Sequence, residues 1–452
     1  MSENTMSSAV MTRASIAVNR FGYGASGDEL EKASSSPKDW IKSQLLPISF
    51  SSESPHSNDV FVEHSKYQTQ KKMAKKSTSP KNKMKSNFGR MALRKMSADT
   101  LNEAIHSSNS VSWRLLDFFS NHFSVSSNGR LMAGLAATLE REAIAPNLLG
   151  NFEEMLLAVE QHPAMLIYLN NEKSFGPTSK VAKKKGKGLN ENLAREILEL
   201  HTLGVAGGYQ QADVVELAKG ISGWSVKNPT KENNAGFVFR PYGHEPGIRT
   251  LLNKKYPATG VAQGQQMLRD LAMHPATAKY VCYKLAHHFV SDTPSSLLLE
   301  KMVVTWMKNK GNITQVMHSL FDADEAWVDR PQKYKTPREF VISAQRALSL
   351  KKTNDKALLS SLVSLGQQPF NAGSPAGFSD DEKDWLGGSA LMARIDWSNK
   401  VSGYLKRANA EKIMKLTFGE NVSDLTYQMV MRAESRQQAL TLLLMSPDFQ
   451  RR

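Results

Sequence analysis

The feature that most constrains the fold is helical periodicity, which recurs along nearly the whole chain in short segments. Apolar residues return every three or four positions, and Pro or Gly interrupts the pattern, as at Pro146, Pro163 and Gly204. No stretch approaches the roughly eighteen consecutive apolar residues of an ordinary membrane-spanning helix, so no transmembrane segment is predicted. We therefore expect a mainly α protein, a multi-helical globular array.

Two intervals depart from this pattern. Between 234 and 250, aromatic residues alternate with other types among frequent Gly and Pro, which predicts a short β-hairpin or an irregular insertion. A lysine-rich interval that is poor in apolar residues predicts a disordered, flexible basic loop. The expected organisation is an N-terminal helical part of the main domain (1–60), a flexible basic insertion (61–97), a helical core (98–330) and a C-terminal helical portion packed on the core (331–452).

The net charge of the sequence is +15, and it is concentrated in two places. Residues 66–96 hold eleven cations and no acid, and residues 179–188 hold five lysines, so the rest of the chain is nearly balanced. Such blocks either contact an acidic polymer or protein partner or are solvated insertions that only raise solubility. Lysine outnumbers arginine and few aromatics are interleaved, so any nucleic-acid binding would be sequence-blind and salt-dependent. The candidate polyanion-binding residues are Lys71, Lys72, Lys75, Lys76, Lys183, Lys184 and Lys185.

Several familiar catalytic signatures are absent from the sequence. It contains no phosphate-binding G-x-x-x-x-G-K-[ST] loop, no G-x-S-x-G turn and no H-E-x-x-H zinc helix. The one cysteine, Cys282, excludes an internal disulfide framework and a multi-cysteine zinc site. Its apolar neighbours predict a buried, inert thiol.

The segment from Gly188 to Trp224 carries the densest polar pattern. At 100° per residue, Asn192, Arg195, Glu196 and Glu199 fall on one helix face, with apolar residues on the opposite side. This face is either solvated, with an Arg195–Glu199 ion pair, or turned toward a cleft. In a cleft, two carboxylates one turn apart would raise one pKa into the range of a general acid or would share a cation, and Arg195 would suit an anionic group.

The histidines are scattered along the chain. His122 ends a predicted helix, His244 lies in the irregular loop, and His201 falls on the apolar side of its helix. The adjacent pair His287 and His288 should point in different directions on a helix. Each imidazole is either a satisfied structural residue or part of a site assembled from distant segments.

The sequence also resembles the domain of unknown function 1800 family over nearly its whole length, except for the lysine-rich loop. The resemblance rests on long segments. They are NRFGYGASGDEL, SWRLLDFFSNHFSVS, NFEEMLLAVEQHPAMLIYLNN, NENLAREILELHTLGVAGGYQQADVVELAKGISGW, FVFRPYGHEPG, HPATAKYVCYKLAHHFVSD and SPAGFSDDEKDWLGGSALMARIDWSNKV. The sequence differs from the usual pattern at three of these positions, with Phe119 for a second Trp, His201 for an aromatic residue and Glu245 for Asp.

The resemblance implies a helical fold but supplies no activity. It singles out Asn190, Glu191, Asn192, Arg195, Glu196, Glu199, Trp224, His122 and His244. Many relatives look exported and are encoded beside domain of unknown function 1501 proteins, which resemble sulfatases, so such a protein is an expected partner. The first twenty residues show no evident signal peptide, which favours a cytoplasmic location for this chain.

Two functions remain open at this point. The first is a hydrolase-like enzyme on an anionic or polysaccharide-like substrate, with Glu196 or Glu199 as general acid or base and with His122 or His244 completing the site or holding a metal. In this case Asn190, Glu191, Asn192, Arg195 and Trp224 would bind substrate. The second is a non-enzymatic helical binding or assembly module whose basic loop contacts an acidic partner. The residues specify no cofactor and no particular metal.

Overall fold

The computed structural model describes residues 12–76, 87–186, 188–229, 234–331, 333–350, 354–419 and 421–452, and it is mainly α. The side chains of Lys75, Lys76 and Lys185 lie outside this description. The N-terminal and central helices are α1 Arg13–Ile16, α2 Glu29–Ser35, α3 Pro37–Ser43, α4 Ser57–Lys76, α5 Phe88–His106, α6 Ser110–His122, α7 Met132–Leu139, α8 Phe152–Glu160, α9 Pro163–Tyr168, α10 Lys180–Lys185, α11 Asn192–Glu196 and α12 Gln211–Gly220. The later helices are α13 Val261–Ala272, α14 Pro275–Phe289, α15 Ser296–Lys308, α16 Ile313–Asp322, α17 Pro337–Ala347, α18 Asp355–Ser364, α19 Gly388–Tyr404, α20 Ala410–Phe418, α21 Asp424–Met431, α22 Arg436–Met445 and α23 Pro447–Gln450.

Three of the helices continue directly into a π-helical turn. These turns are Ala17–Phe21 after α1, Glu140–Ile144 after α7 and Ile197–His201 after α11. A π-helical turn inserts one residue into the α-helical register and is frequent at functional sites. The turn after α11 carries Glu199 and His201, so it shapes the segment in which the sequence predicts a site.

Two small antiparallel sheets accompany the helices. Strand β1 (Trp224–Lys227) pairs with β2 (Gly236–Phe239), and β3 (Arg249–Leu251) pairs with β4 (Lys254–Tyr256). The predicted hairpin near 234–250 is therefore present as two hairpins, and each takes one strand from outside that interval. Trp224 begins strand β1, since α12 ends at Gly220.

The lysine-rich interval is more ordered than the sequence predicted. Helices α4 and α5 cover it on both sides of residues 77–86, which lie outside the described residues, so the expectation of a loop over all of 61–97 is wrong. The cause is a minority of apolar residues at helical spacing. Phe88, Ala92 and Met96 recur every four residues and pack with Ala137 of α7. The guanidinium of Arg130 lies 4.1 Å from the ring centroid of Tyr67 on α4.

One cluster of buried apolar side chains extends from Ala14 to Phe449 and unites the N-terminal, central and C-terminal helices. Buried arginines reinforce it over long sequence distances. Arg20 donates to the carbonyls of Ala326 and Arg330, and Arg346 donates to that of Gly24. Charge-assisted bonds to carbonyls offset part of the cost of burying these cations. Among the described residues, no helix combines the length and apolar character that crossing a bilayer requires.

Candidate functional site

Helix α11 is fixed at its start by Asn190. The Asn190 carboxamide nitrogen donates to the carbonyls of Leu169 and Asn170 at 3.3 Å, and its Oδ1 accepts from the backbone N–H of Asn192. Asn190 thus anchors the helix, while Asn192 is exposed. Leu193 is fully buried on the opposite side, as the periodicity predicted.

A surface network follows Asn190 on the same helix. Arg195 donates to Gln211 of α12 at 2.8 Å and lies 3.4 Å from the Glu191 carboxylate, which also accepts from Gln211 at 2.8 Å. Arg195 therefore pairs with Glu191, one turn before it, although the helical spacing predicted Glu199 as its partner on a solvated face. The Arg195 side chain remains 41 % exposed and is accessible to a ligand.

Glu196 and Glu199 occupy the half-buried part of this face. Burial raises the pKa of the Glu196 carboxyl, and the charge of Glu199 adds to that rise, while His201 and Arg195 oppose it. Burial and the charge of Glu199 raise the pKa of Tyr209, so the Tyr209 hydroxyl lies near Glu199. Two carboxylates in different surroundings on one helix are the arrangement by which proteins separate an acid from a base.

Two further tyrosines border these carboxylates. Burial, followed by the charge of Glu196, raises the pKa of Tyr168. Burial and the charge of Glu199 raise the pKa of Tyr280 to about 12. The tyrosines are therefore neutral at pH 7 and present hydroxyl donors and ring faces beside Glu196 and Glu199.

A buried imidazole cluster lies behind the helix. His201 bonds through Nδ1 to the Glu160 carboxylate at 2.8 Å, and both side chains are fully buried. The Nε2 of His122 donates to the His201 carbonyl at 3.2 Å. Burial holds the pKa of His122 well below its usual value, with Lys284 and His201 adding to the effect, so this imidazole is neutral. Sequence reasoning missed Glu160, which lies 41 residues before His201 in the chain but hydrogen bonds to it in the folded protein.

His244 belongs to a different neighbourhood. Its Nδ1 bonds to the Ser222 carbonyl at 2.9 Å, and its ring packs edge-on against Phe239 of β2. The next residue, Glu245, accepts from the backbone N–H and hydroxyl of Thr178. His122 thus contacts His201, which lies within electrostatic reach of Glu196, whereas His244 lies beside the β1–β2 hairpin.

Two other predicted site features have structural surroundings. Trp224 is fully buried and packs edge-on against Phe237, so its ring does not face solvent. Lys71 and Lys72 are exposed on α4, and Lys183 and Lys184 are exposed on α10. Cys282 is buried, as its neighbours predicted.

Helix α14 connects the α11 region to a second polar centre. Tyr280, Lys284 and His288 follow one another at four-residue spacing along α14 and so share one side of it. Burial lowers the pKa of Lys284 to about 8, and the charge of Asp380 acts in the opposite direction. Lys284 thus lies within electrostatic reach of both His122 and Asp380.

In this second centre, two consecutive histidines pair with two consecutive aspartates. The Nδ1 of His288 lies 3.1 Å from both carboxylate oxygens of Asp380, and the Nε2 of His287 lies 3.0 Å from Asp381. Lys333 donates to the Asp380 carbonyl at 2.7 Å. The sequence offered a signal in its adjacent HH and DD pairs, but a separation of 92 positions along the chain hides the contact between His288 and Asp380.

His287, Asp292 and Asp381 are the metal-ligating group found among the described residues, with ligand atoms within 4.8 Å of one another. Imidazole with two carboxylates suits a divalent transition metal. However, the Lys333 ammonium already lies 2.6 Å from Asp292 and supplies positive charge there.

A half-open pocket of about 80 Å³, lined by both polar and apolar groups, lies beside His288. Helices α6, α14 and α17 contribute to it, together with the loop that carries Asp380. Asn121 fixes that loop through two bonds of 2.8 Å to the backbone of Phe378. The lining residues are Asp117, Ser120, Asn121, Ser124, Glu140, His288, Thr336, Arg338, Glu339, Gln367, Pro369, Phe370, Phe378, Ser379 and Asp380.

Comparison with known proteins gives one result. The family model described as "Protein of unknown function (DUF1800)" matches residues 16–451. No curated protein and no solved structure gives a significant match.

Proposed function

Because the chain belongs to the DUF1800 family, whose description assigns no function, we propose its activity from the site itself: a hydrolase-like enzyme acting on an anionic or polysaccharide-like substrate at the Glu196–Glu199 face. The observation that carries the proposal is the half-buried Glu196 carboxyl, whose pKa is raised by burial and by Glu199. A carboxyl that stays protonated nearer to neutral pH is suited to protonate a leaving group.

The neighbouring groups support this chemistry. The carboxyl groups of Glu196 and Glu199 lie close enough for the charge of Glu199 to raise the pKa of Glu196, and retaining glycosidases likewise use two carboxyl groups that lie close together. In the proposal Glu196 is the general acid and Glu199 the second carboxylate. Tyrosine rings beside them offer faces for sugar rings, and the exposed guanidinium of Arg195 offers a partner for an anionic group.

The histidines have indirect roles in this proposal. His122 and the His201–Glu160 pair position the α11 segment from behind, since all three side chains are buried. His244, Asn190 and Trp224 hold the surrounding structure and do not contact the substrate. Glu191 keeps Arg195 in place.

The test is release of reducing sugar from polyuronate, sulfated and neutral polysaccharides by purified protein. We expect activity on at least one of the anionic polymers and a loss of about 10²-fold or more in kcat for Glu196→Gln and Glu199→Gln. Glu300→Gln, which changes an exposed carboxylate on α15, is the matched control and should leave kcat unchanged. Activity that survives in both Glu196→Gln and Glu199→Gln would refute the assignment.

The pH profile provides a second readout. The general acid is active only while protonated, so the alkaline limb of kcat should follow the raised pKa of Glu196 and lie above the limb of an ordinary glutamate. Arg195→Gln should raise KM for anionic polymers more than for neutral ones. A kcat that is flat from pH 4 to pH 7 would contradict the role of Glu196.

The exposed lysines favour a second candidate function, a module that binds an acidic polymer or protein, such as a neighbouring sulfatase-like protein. Lys71 and Lys72 on α4 and Lys183 and Lys184 on α10 are presented by helices. The quadruple Lys→Gln variant should elute from heparin at lower salt than wild type, with a flatter dependence of binding on salt concentration. The control replaces four exposed lysines elsewhere, namely Lys279, Lys308, Lys400 and Lys412. Elution of both variants at the same salt concentration would show that only the net charge of the protein matters, and it would contradict a binding site at these four lysines.

A further inference from the structure

We propose that His287, Asp292 and Asp381 bind a divalent transition-metal ion, such as Zn²⁺, through one imidazole nitrogen and two carboxylate oxygens. The three residues come from separate parts of the fold. His287 lies in the last turn of α14, Asp292 follows that helix, and Asp381 lies in the loop between α18 and α19. The tertiary structure, and not the local sequence, therefore brings these ligand types together.

The distances between the ligand atoms fit a single ion. Nε2 of His287 lies 3.0 Å from Oδ1 of Asp381 and 3.8 Å from Oδ1 of Asp292. Ligand atoms that share one ion at bond lengths of about 2.0–2.2 Å are roughly 2.8–3.6 Å apart at octahedral or tetrahedral angles. All the ligand atoms of the group already lie within 4.8 Å of one another, so a small movement of Asp292 closes the group around an ion.

The three side chains are accessible from solvent. Those of His287, Asp292 and Asp381 are 12 %, 30 % and 41 % exposed. Nε2 of His287 already faces both carboxylates, and its ring is stacked on that of Tyr283, with centroids 5.7 Å apart. An ion can therefore reach the group without any opening of the core.

Further hydrogen bonds fix the two aspartates. Oδ2 of Asp292 accepts from the backbone N–H of Glu382 at 3.0 Å, and the backbone N–H of Asp381 donates to the Ser379 hydroxyl at 3.0 Å. Oδ1 of each aspartate is the oxygen that lies toward His287. Outer hydrogen bonds of this kind orient metal ligands and contribute to metal affinity.

The charges around the group leave room for a cation. The buried ammonium of Lys333 lies 2.6 Å from Oδ1 of Asp292, whereas Asp381 pairs with the ammonium of Lys383, which is 3.4 Å away and 78 % exposed. A carboxylate oxygen has two lone pairs, so Oδ1 of Asp292 can accept from Lys333 and also bind an ion. Because solvent screens the exposed Lys383, the charge of Asp381 is left for a bound cation to neutralise.

The ligand types select the ion. Ca²⁺ and Mg²⁺ prefer oxygen ligands, whereas an imidazole nitrogen suits Zn²⁺, Ni²⁺ and iron. Three protein ligands leave at least one coordination position to water, as in catalytic zinc sites and unlike the closed structural ones. The group should therefore prefer Zn²⁺ to Ca²⁺ and keep bound water.

The experiment is isothermal titration calorimetry of the full chain, first treated with EDTA, with ZnCl₂ and with CaCl₂. We expect one Zn²⁺ per chain and no Ca²⁺ at the same concentrations, and a loss of about 10–100-fold or more in Zn²⁺ affinity for His287→Gln and for Asp381→Asn. Asp384→Asn is the matched control, because Asp384 is exposed and lies outside the group, and it should bind Zn²⁺ as wild type does. Glu196→Gln should also leave Zn²⁺ binding unchanged, which separates this proposal from the one above.

Lys333 supplies an independent readout. Lys333→Met removes an ammonium that repels a bound ion, so Zn²⁺ should raise the Tm of this variant more than that of wild type, and a smaller rise would contradict an ion beside Asp292. Wild-type protein that binds Zn²⁺ no more tightly than about 1 mM would overturn the proposal. So would wild-type affinity in folded His287→Gln and Asp381→Asn, or X-ray absorption that finds no imidazole on the Zn²⁺ bound by the wild-type protein.

Discussion

The buried carboxylate of Glu339 allows the sharpest stability prediction. It lies 2.7 Å from Arg452 and 2.9 Å from Arg114, and all three side chains are at most 5 % exposed. Burial alone would raise the pKa of Glu339, but Arg452 and Arg114 outweigh burial and lower the pKa from 4.5 to about 2. At about 1.4 kcal/mol per pKa unit, the ionised carboxylate contributes about 3 kcal/mol to the free energy of unfolding.

Glu339→Gln removes this charge and leaves two buried arginines with a neutral partner. Breaking a buried ion pair costs about 3–5 kcal/mol, which agrees with the value from the pKa. We therefore expect the free energy of unfolding to fall by about 3 kcal/mol at pH 7. Urea denaturation followed by tryptophan fluorescence and far-UV circular dichroism measures it. Glu153→Gln is the control, since Glu153 and Arg269 form a partly exposed pair whose loss should cost under about 1 kcal/mol.

The pH dependence gives the refuting result. Because the folded pKa of Glu339 is depressed, its contribution is complete above about pH 4.5 and is lost as the pH falls toward 2. The difference between wild type and Glu339→Gln should shrink to about 1.4 kcal/mol at pH 3. A difference at pH 7 below about 1 kcal/mol, or one that does not shrink on acidification, would show that the two arginines do not depend on this carboxylate.

Three further predictions concern single positions. Gly377→Ala forces a Cβ against the Asn121 carbonyl at positive φ and should lower the free energy of unfolding by about 1–3 kcal/mol in urea, whereas Gly373→Ala, where nothing lies within 4 Å, should not. Lys335→Met removes a buried lysine whose pKa is lowered by burial to about 7, so the variant should be more stable than wild type by about 1–4 kcal/mol at pH 7. This gain in the free energy of unfolding should vanish as the pH rises toward 10.5, and an unchanged urea midpoint at pH 7 would contradict the prediction. Wild type should lose stability below pH 6.5 because the buried, neutral His122 resists protonation in the folded protein. In urea titrations the free energy of unfolding of His122→Gln should fall less than that of wild type between pH 7 and pH 5, and an equal fall in both proteins would contradict this role of His122.

Local pattern predicted the helices and the polar face of the central motif. The alternation of Leu193 with Arg195 and Glu196 gave the buried and polar sides of α11, because side-chain direction in a helix follows from spacing alone. The wrong prediction in the lysine-rich interval came from composition and not from spacing. There, three apolar residues at four-residue spacing were enough for α5 to pack on α7, and composition concealed them.

What the sequence by itself determined was a mainly helical protein of the DUF1800 family with a polar turn at 191–199. Only the tertiary structure decided which distant groups meet: His201 with Glu160, His288 with Asp380 and Glu339 with Arg452. The reason is physical. Helix formation depends on neighbours within four residues, whereas these pairs form when helices far apart in the chain bury a shared core, and the charges enclosed with it must find partners there.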